Sequence, residues 1–335
     1  MTAISATVAS APGRICLAGE SLDWMVNGPS VVASIGLRTR VSAHLVDTCA
    51  DLRVHAGSPV NITRHITARR LDQLTGDPLD YVHAVAYLVS QLTPEPFTGT
   101  LVIDSELPVG AGVSSSASVT AATAAALLAA SGIPPTPQTI AEVAHAGERH
   151  AGSGAGWMDF LAVVHGGINL VQATDPPRTT RLSQQLGAQI ILVDSLTRRS
   201  TRSLLVSKRT RWANRDPDLL AYVDATEELV DAIAAALDAP AVDHASVGKL
   251  LTEAHWLLAD RMRCSTPLLD ACVRTCIDAG AYGAKLTGSG HGGCLFTLAP
   301  PDRTASVLDA LVPLPVRTVV LDDVDPHGVD VTEIT

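Results

Sequence analysis

Nothing in these 335 residues approaches the roughly 18 consecutive apolar positions that a membrane-spanning helix needs. Charge is also scarce, at 17% of residues against 47% hydrophobic, a balance that suits a well-buried globular enzyme and excludes disorder. Positive charge is the scarcer sign: 24 Lys and Arg face 34 Asp and Glu, for a net charge of -10. That argues against a nucleic-acid surface and against binding to anionic membranes. Lysine itself is nearly absent, with only Lys208, Lys249 and Lys285 beside 21 arginines. The six cysteines (Cys16, Cys49, Cys264, Cys272, Cys276 and Cys294) form no CxxC pair and no even framework. With no signal peptide, they read as reduced thiols in a cytoplasm. Cys272 and Cys276 lie one helical turn apart, but no His or carboxylate set completes a metal site, so core packing is expected. Internal repeats and low-complexity linkers are missing too.

The length favours two domains or one large α/β unit. Residues 5–17 and 31–45 have the alternating, β-branched look of strands, with a polar loop, AGESLDWMVNGPS, between them. Helical spacing marks 79–92, 115–131 and 137–150, and 99–107 reads as a strand. Strands resume at GGINLV and QIILVD. Beyond about 180 the chain becomes mostly amphipathic helix, at 216–238, 242–262 and 266–279, the last closed by Gly280. A glycine-rich turn, KLTGSGHGGCLFTL, is expected between that helix and a strand. Partly segregated strand and helix runs predict an α+β fold, with a junction near TDPPRTT that divides 1–180 from 181–335.

The stretch ELPVGAGVSSSASVTAATAAALLAASG, residues 106–132, sets Pro108, Gly110 and Gly112 directly before a confident helix. Helix starts carry unpartnered N–H groups and partial positive charge, and glycines let backbone approach an anion closely. The junction therefore reads as a phosphate cradle, the plainer alternative being a tight turn with Ser as N-cap. No Gly-Lys-Ser/Thr and no GxGxxG is present there.

The pattern Pro-x-Gly-x-Gly-x-Ser-Ser-Ser-Ala resembles the second motif of the GHMP kinases, the family of galactokinase, homoserine kinase, mevalonate kinase and phosphomevalonate kinase, with Val113 in place of the usual leucine. APGRICLAGES (11–21) and AKLTGSGHGGCLFTL (284–298) resemble its first and third motifs, in the same order. The resemblance implies a two-domain fold with mixed sheets, ATP on the N-terminal domain and the active site in the cleft between domains. It implies phosphate binding by Pro108, Gly110, Ala111, Gly112, Val113, Ser114, Ser115 and Ser116, and by Gly288, Ser289 and Gly290 of a third turn that braces the loop. Ser116 and Glu148 would hold Mg²⁺. Asp159, in GWMD, would be the base that takes the acceptor's proton, with Arg14 facing it to favour negative charge on the attacking oxygen. An exposed helix charge is the plainer reading of Glu148.

For the acceptor, Glu20 and Asp23 resemble the galactokinase carboxylates that receive sugar hydroxyls, while Ser21 stands where those enzymes usually have histidine. Trp24 and Trp157 are candidates to stack on a sugar ring, or to pack in the core. VDSLTRRSTRSLLVSKRTRW (193–212) is similar to mevalonate kinases. Of its basic group Arg198, Arg199, Arg202, Lys208, Arg209 and Arg211, most are expected on a solvated helix face, with one contact to an anionic substrate as the alternative. The resemblance thus implies a cytoplasmic, monomeric or homodimeric ATP-dependent kinase. Its acceptor would be the anomeric hydroxyl of a hexose or higher sugar such as a heptose or octose, free or phosphorylated at its far end. Mevalonate kinase is the alternative, and a non-catalytic sugar or ATP sensor a third.

Overall fold

The first strand, β1 (Ser5–Ala18), changes character along its length. From Ala6 to Ser10 every second residue is buried, as on a half-covered strand; from Ala11 to Ala18 all are buried. The second half is covered because elements from the far end of the chain close over it, and the Cys16 N–H donates to Thr287 Oγ1 at 3.0 Å. In this computed structural model the structure describes residues 5–46, 51–67, 72–93, 98–182, 185–198 and 201–334, and covers the backbone alone for 5, 201–203, 333 and 334. Cys49 and Arg199 lie outside the described residues, as does the side chain of Arg202.

β1 pairs antiparallel with β2 (Pro29–Leu45). β2 runs on one flank against β5 (Gly99–Ser105) and, nearer its start, against β6 (Ile168–Gln172), which continues to β7 (Arg178–Arg181). Beyond β5 lie β3 (Asp51–Ala56), the one parallel neighbour, and β4 (Ile62–Thr67). The final strand, β12 (Asp330–Ile334), returns to flank β1 and completes an eight-stranded sheet. Helices α2 (Asp80–Ser90), α3 (Ser115–Ala130), α4 (Pro137–His150) and α5 (Met158–His165) pack with it. α3 is buried nearly all round. Its Ala117, Ala121, Ala122, Ala124, Ala125 and Ala126 are fully buried, small enough for close approach to β1 and β2 and strong helix formers.

A second, four-stranded antiparallel sheet has the order β11 (Arg317–Leu321), β8 (Gln189–Asp194), β10 (Cys294–Ala299), β9 (Gly283–Leu286). With it go α7 (Pro217–Leu237), α8 (His244–Asp260), α9 (Pro267–Asp278) and α10 (Thr304–Leu311), while α6 (Thr201–Ala213) follows β8. Several starts share one device. Thr136, Asp216 and Thr266 each accept a backbone N–H from the first turn, and each is followed by proline at the first helical position.

Two expectations change. The polar loop before β2 contains a one-turn helix, α1 (Leu22–Met25), whose Leu22 and Met25 are buried. The glycine-rich turn after residue 286 joins two paired strands, β9 and β10, and not a helix to a strand, because the four-residue β9 precedes it. Cys272 and Cys276 are fully buried, none of the five described cysteines is in a disulfide, and the described residues hold no cluster of metal-ligating groups. Among them no helix is long and apolar enough to cross a membrane. Leu127 of α3 is fully buried in the core of the larger sheet. Leu127→Ala is expected to remove about 2–5 kcal/mol of stability, measured as a lower urea midpoint at unchanged slope.

Candidate active site

The turn between β5 and α3 passes through residues with left-handed backbone: Gly112 has φ 88° and Ser114 φ 59°. Ser114 occupies the N-cap position without making a side-chain cap, and its buried hydroxyl has no partner. This rules out the plain capping role and leaves a donor beside the helix start. Three contacts pin the turn. Arg14 donates its backbone N–H to the Val113 carbonyl (3.2 Å) and Nη1 to the Gly112 carbonyl (2.6 Å), while the Cys294 N–H donates to the Ala111 carbonyl at 2.7 Å. The β9–β10 turn presses on it directly. A Cβ at Gly288 (φ +77°) would lie 2.7 Å from the Gly112 carbonyl oxygen, so only glycine permits this approach.

Arg14 also binds Asp159, in the first turn of α5: Nε and Nη2 both donate to Oδ1, at 2.9 and 2.7 Å. Its side chain is only 3% exposed. Burial, the largest single influence, works against the guanidinium charge, but Asp159 foremost, together with Cys16 and Glu20, outweighs it and leaves the Arg14 pKa raised. One guanidinium therefore joins a carboxylate to the glycine turn.

Glu148, near the end of α4, is buried, which contradicts an exposed helix charge. Its Oε1 accepts from Ser116 Oγ (3.2 Å) and Ser153 Oγ (3.0 Å), whereas Oε2 is buried with no partner. Burial first, and the charge of Asp159 second, push its pKa up to about 7. A buried carboxylate with one uncommitted oxygen, next to a serine hydroxyl, is a donor set suited to a hard divalent cation such as Mg²⁺. Asp23 is also buried; burial and Asp159 raise it to about 6, against a backbone N–H from Trp24 at 2.9 Å.

These groups line one cavity of about 630 Å³, walled also by Ser21, Gly110, Ser115, Gly288 and Ser289. Pro108, Ala111, Val113 and Gly290 fall outside its wall: Ala111 and Val113 turn into the core, and Gly290 lies against the Cys264 backbone. Glu20 lines the cavity, but it is tied by an ion pair to Lys285, which is fully buried and also donates to the Cys16 (3.1 Å) and Leu286 (3.0 Å) carbonyls. Trp24 is on the wall with the Arg209 guanidinium 5.5 Å from its ring centre, whereas Trp157 packs on His145 at 4.0 Å and lies outside the wall. Of the basic group, Arg198 and Arg209 are exposed, Arg211 is half-buried and Lys208 is buried. Arg198 pairs with Asp194, Arg211 with Asp216, Arg209 donates to the Gly154 carbonyl and Lys208 to that of Ser289.

Sequence reasoning missed an apolar extension of the cavity formed by Ala56, Val60, Leu79, Val82, Ile103 and Val119. It also missed Lys285 and singled out Lys208 only within a larger basic group; these two of the chain's three lysines are 0% and 3% exposed. Their rarity in so arginine-rich a chain was the available signal.

Profiles described as GHMP kinases N terminal domain and GHMP kinases C terminal match residues 80–167 and 232–313. The mevalonate kinase of Thermococcus sibiricus is 28% identical over 316 residues, covering 89% of this chain and 90% of that protein. The galactokinase of Pyrococcus furiosus is 28% identical over 338 residues, covering 92% and 93%. The crystal structure of Lactococcus lactis galactokinase with galactose superposes with a TM-score of 0.82 at 19% identity, covering 97% of this chain and 95% of that one.

The raised Glu148 value has a consequence for stability. Between its ordinary value of 4.5 and about 7 the native state holds a proton that the unfolded chain releases, so ligand-free stability falls as pH rises through that window. Asp23 adds to the fall between 3.8 and about 6. Glu148→Gln, neutral throughout, is expected to flatten the decline by up to about 3 kcal/mol between pH 5 and 8, read from urea midpoints at the two pH values.

Proposed function

Because the chain belongs to the GHMP kinase family, with its two-domain fold of helices and mixed sheets, we propose that it transfers the γ-phosphoryl group of ATP to a sugar hydroxyl, the anomeric hydroxyl of a hexose or a higher-carbon sugar. The observation that carries this reading is Arg14, which binds the carboxylate of Asp159 and the carbonyl of Gly112 across the same cavity. A proton acceptor and a phosphate cradle are thereby held at a fixed separation, and phosphoryl transfer depends chiefly on such positioning.

In this reading residues 1–180 carry the nucleotide and 181–335 close over it, in the cytoplasm. Adenine enters the apolar extension, and the triphosphate lies on the turn at Gly110–Ser116. Ser116 and Glu148 would hold Mg²⁺, which would supply charge neutralisation at the phosphates. Asp159 Oδ1 is engaged by Arg14, and the carboxylate takes the acceptor's proton as its oxygen attacks. The Arg14 guanidinium stabilises the developing negative charge. Asp23 and Ser21 accept hydroxyls from the sugar, beside the Trp24 ring. Glu20 does so through the oxygen that Lys285 leaves available.

Sugar is favoured by this concentration of carboxylate acceptors, which suits a polyol. Mevalonate is the second reading, supported by the name of the Thermococcus sibiricus relative. ADP release measured with hexoses, seven- and eight-carbon sugars, their terminal phosphates and mevalonate separates the two; turnover of mevalonate alone would refute the sugar reading. Tight binding of ATP and sugar with no ADP formed would instead mark a sensor. Asp159→Asn is expected to lower kcat by about 10²–10⁴-fold while leaving nucleotide affinity nearly unchanged, and near-normal turnover in that variant would refute the base assignment.

A further inference from the structure

We infer that Lys208 is a further catalytic residue, whose ammonium binds the phosphoryl group in transfer. The inference rests on the kinase reading above. The cavity is rich in carboxylates, including Glu20, Asp23, Glu148 and Asp159, and among its described wall residues only Arg14 and Lys208 are cationic. A triphosphate entering such a wall requires positive charge directed at it. Arg14 already directs Nε and Nη2 to Asp159 and Nη1 to Gly112.

Lys208 is differently placed. It comes from α6, is 3% exposed, and among the described residues its one polar contact is donation from Nζ to the Ser289 carbonyl at 3.0 Å. An ammonium carries three N–H donors, so two remain. The other buried lysine, Lys285, has a carboxylate and two carbonyls around it. Burial of a cation against a single neutral carbonyl is unfavourable and calls for an anion in the cavity it lines.

Its anchor says which anion. Ser289 follows Gly288, the residue pressed on the Gly112 backbone, so Lys208 is fastened to the turn that backs the phosphate cradle. Arg14 holds Gly112 directly, and residues 106–116 contain no lysine of their own. Two cations are thus fastened to the two turns that meet at Gly112 and Gly288, one shared with the base and one left for phosphate. During transfer the acceptor oxygen bonds to the γ-phosphorus, its proton passes to Asp159, and the bond from that phosphorus to the β,γ-bridging oxygen breaks to leave ADP. Lys208 exchanges no proton; it offsets charge on the moving group.

The test uses Lys208→Gln, which keeps an N–H for the Ser289 carbonyl while removing the charge, and Lys208→Arg, which restores charge. Calorimetric titration with Mg²⁺ and either AMP-PNP or ADP is read beside steady-state kinetics. For Lys208→Gln the expected result is roughly tenfold weaker AMP-PNP binding with ADP affinity changed little. It also includes a kcat lowered about 10²–10³-fold and an unaltered acceptor KM. Lys208→Arg should recover most of the loss, and Lys208→Met, which also removes the charge, carries the same comparison if the Gln variant does not fold. An AMP-PNP to ADP affinity ratio in the uncharged variant equal to that of the wild type would overturn the inference. So would a raised acceptor KM with nucleotide affinities intact, since that would make Lys208 an anchor for an anionic acceptor. If the wild-type protein binds neither nucleotide, the kinase reading itself fails, an outcome distinct from both.

Discussion

The ion pair between Arg14 and Asp159 is the constraint on which the rest of the site depends. Arg14 lies on β1, Asp159 on α5 and Gly112 on the turn between β5 and α3. No pair of these is close in sequence, so a single planar side chain sets the distances among three elements. Its fork geometry makes that possible: a lysine would supply charge at a point, but not two directed contacts to one carboxylate oxygen and a third to a carbonyl. Burial raises the cost of losing any of these partners, because each would leave a desolvated charge or carbonyl behind.

Around that pair the two glycine-rich turns act as one structure. The Gly112 and Gly288 backbones meet without side chains between them, and the Cys294 N–H closes on the Ala111 carbonyl. The first sheet carries one of these turns and the second sheet carries the other. Ser114 Oγ and Glu148 Oε2 are buried polar atoms without partners on the cavity side of this assembly. Native proteins rarely leave such atoms unmet, which marks both as places where a ligand completes the hydrogen bonding.

Much of the frame was legible because its signals are local. Helical and amphipathic spacing marked the helices that begin after Thr136, Asp216 and Thr266, and the alanine run announced α3. The glycine turns, Arg14, Glu148 and Asp159 were recognisable from their motifs. What stayed hidden is non-local. Short strands such as β9 and β12 have no periodicity of their own and exist through pairing with distant partners. The Glu20–Lys285 pair joins residues 265 positions apart, so neither partner announces the other. Arg198 and Arg209 are exposed, as a helical stretch rich in charge usually is, but the partners that they and Arg211 hold could not be read locally: they come from β8, the loop before α5 and the end of α8.

The return of β12 to the edge of β1 means that the polypeptide passes between the two sheets twice, once before β8 and once after β11. Both crossings join sheets that already share one continuous core, in which Ile15, Leu17 and Val31 of the first cluster with Val193, Leu286 and Phe296 of the second. Groups carried by the two sheets are therefore kept in register by close packing as well as by the chain itself.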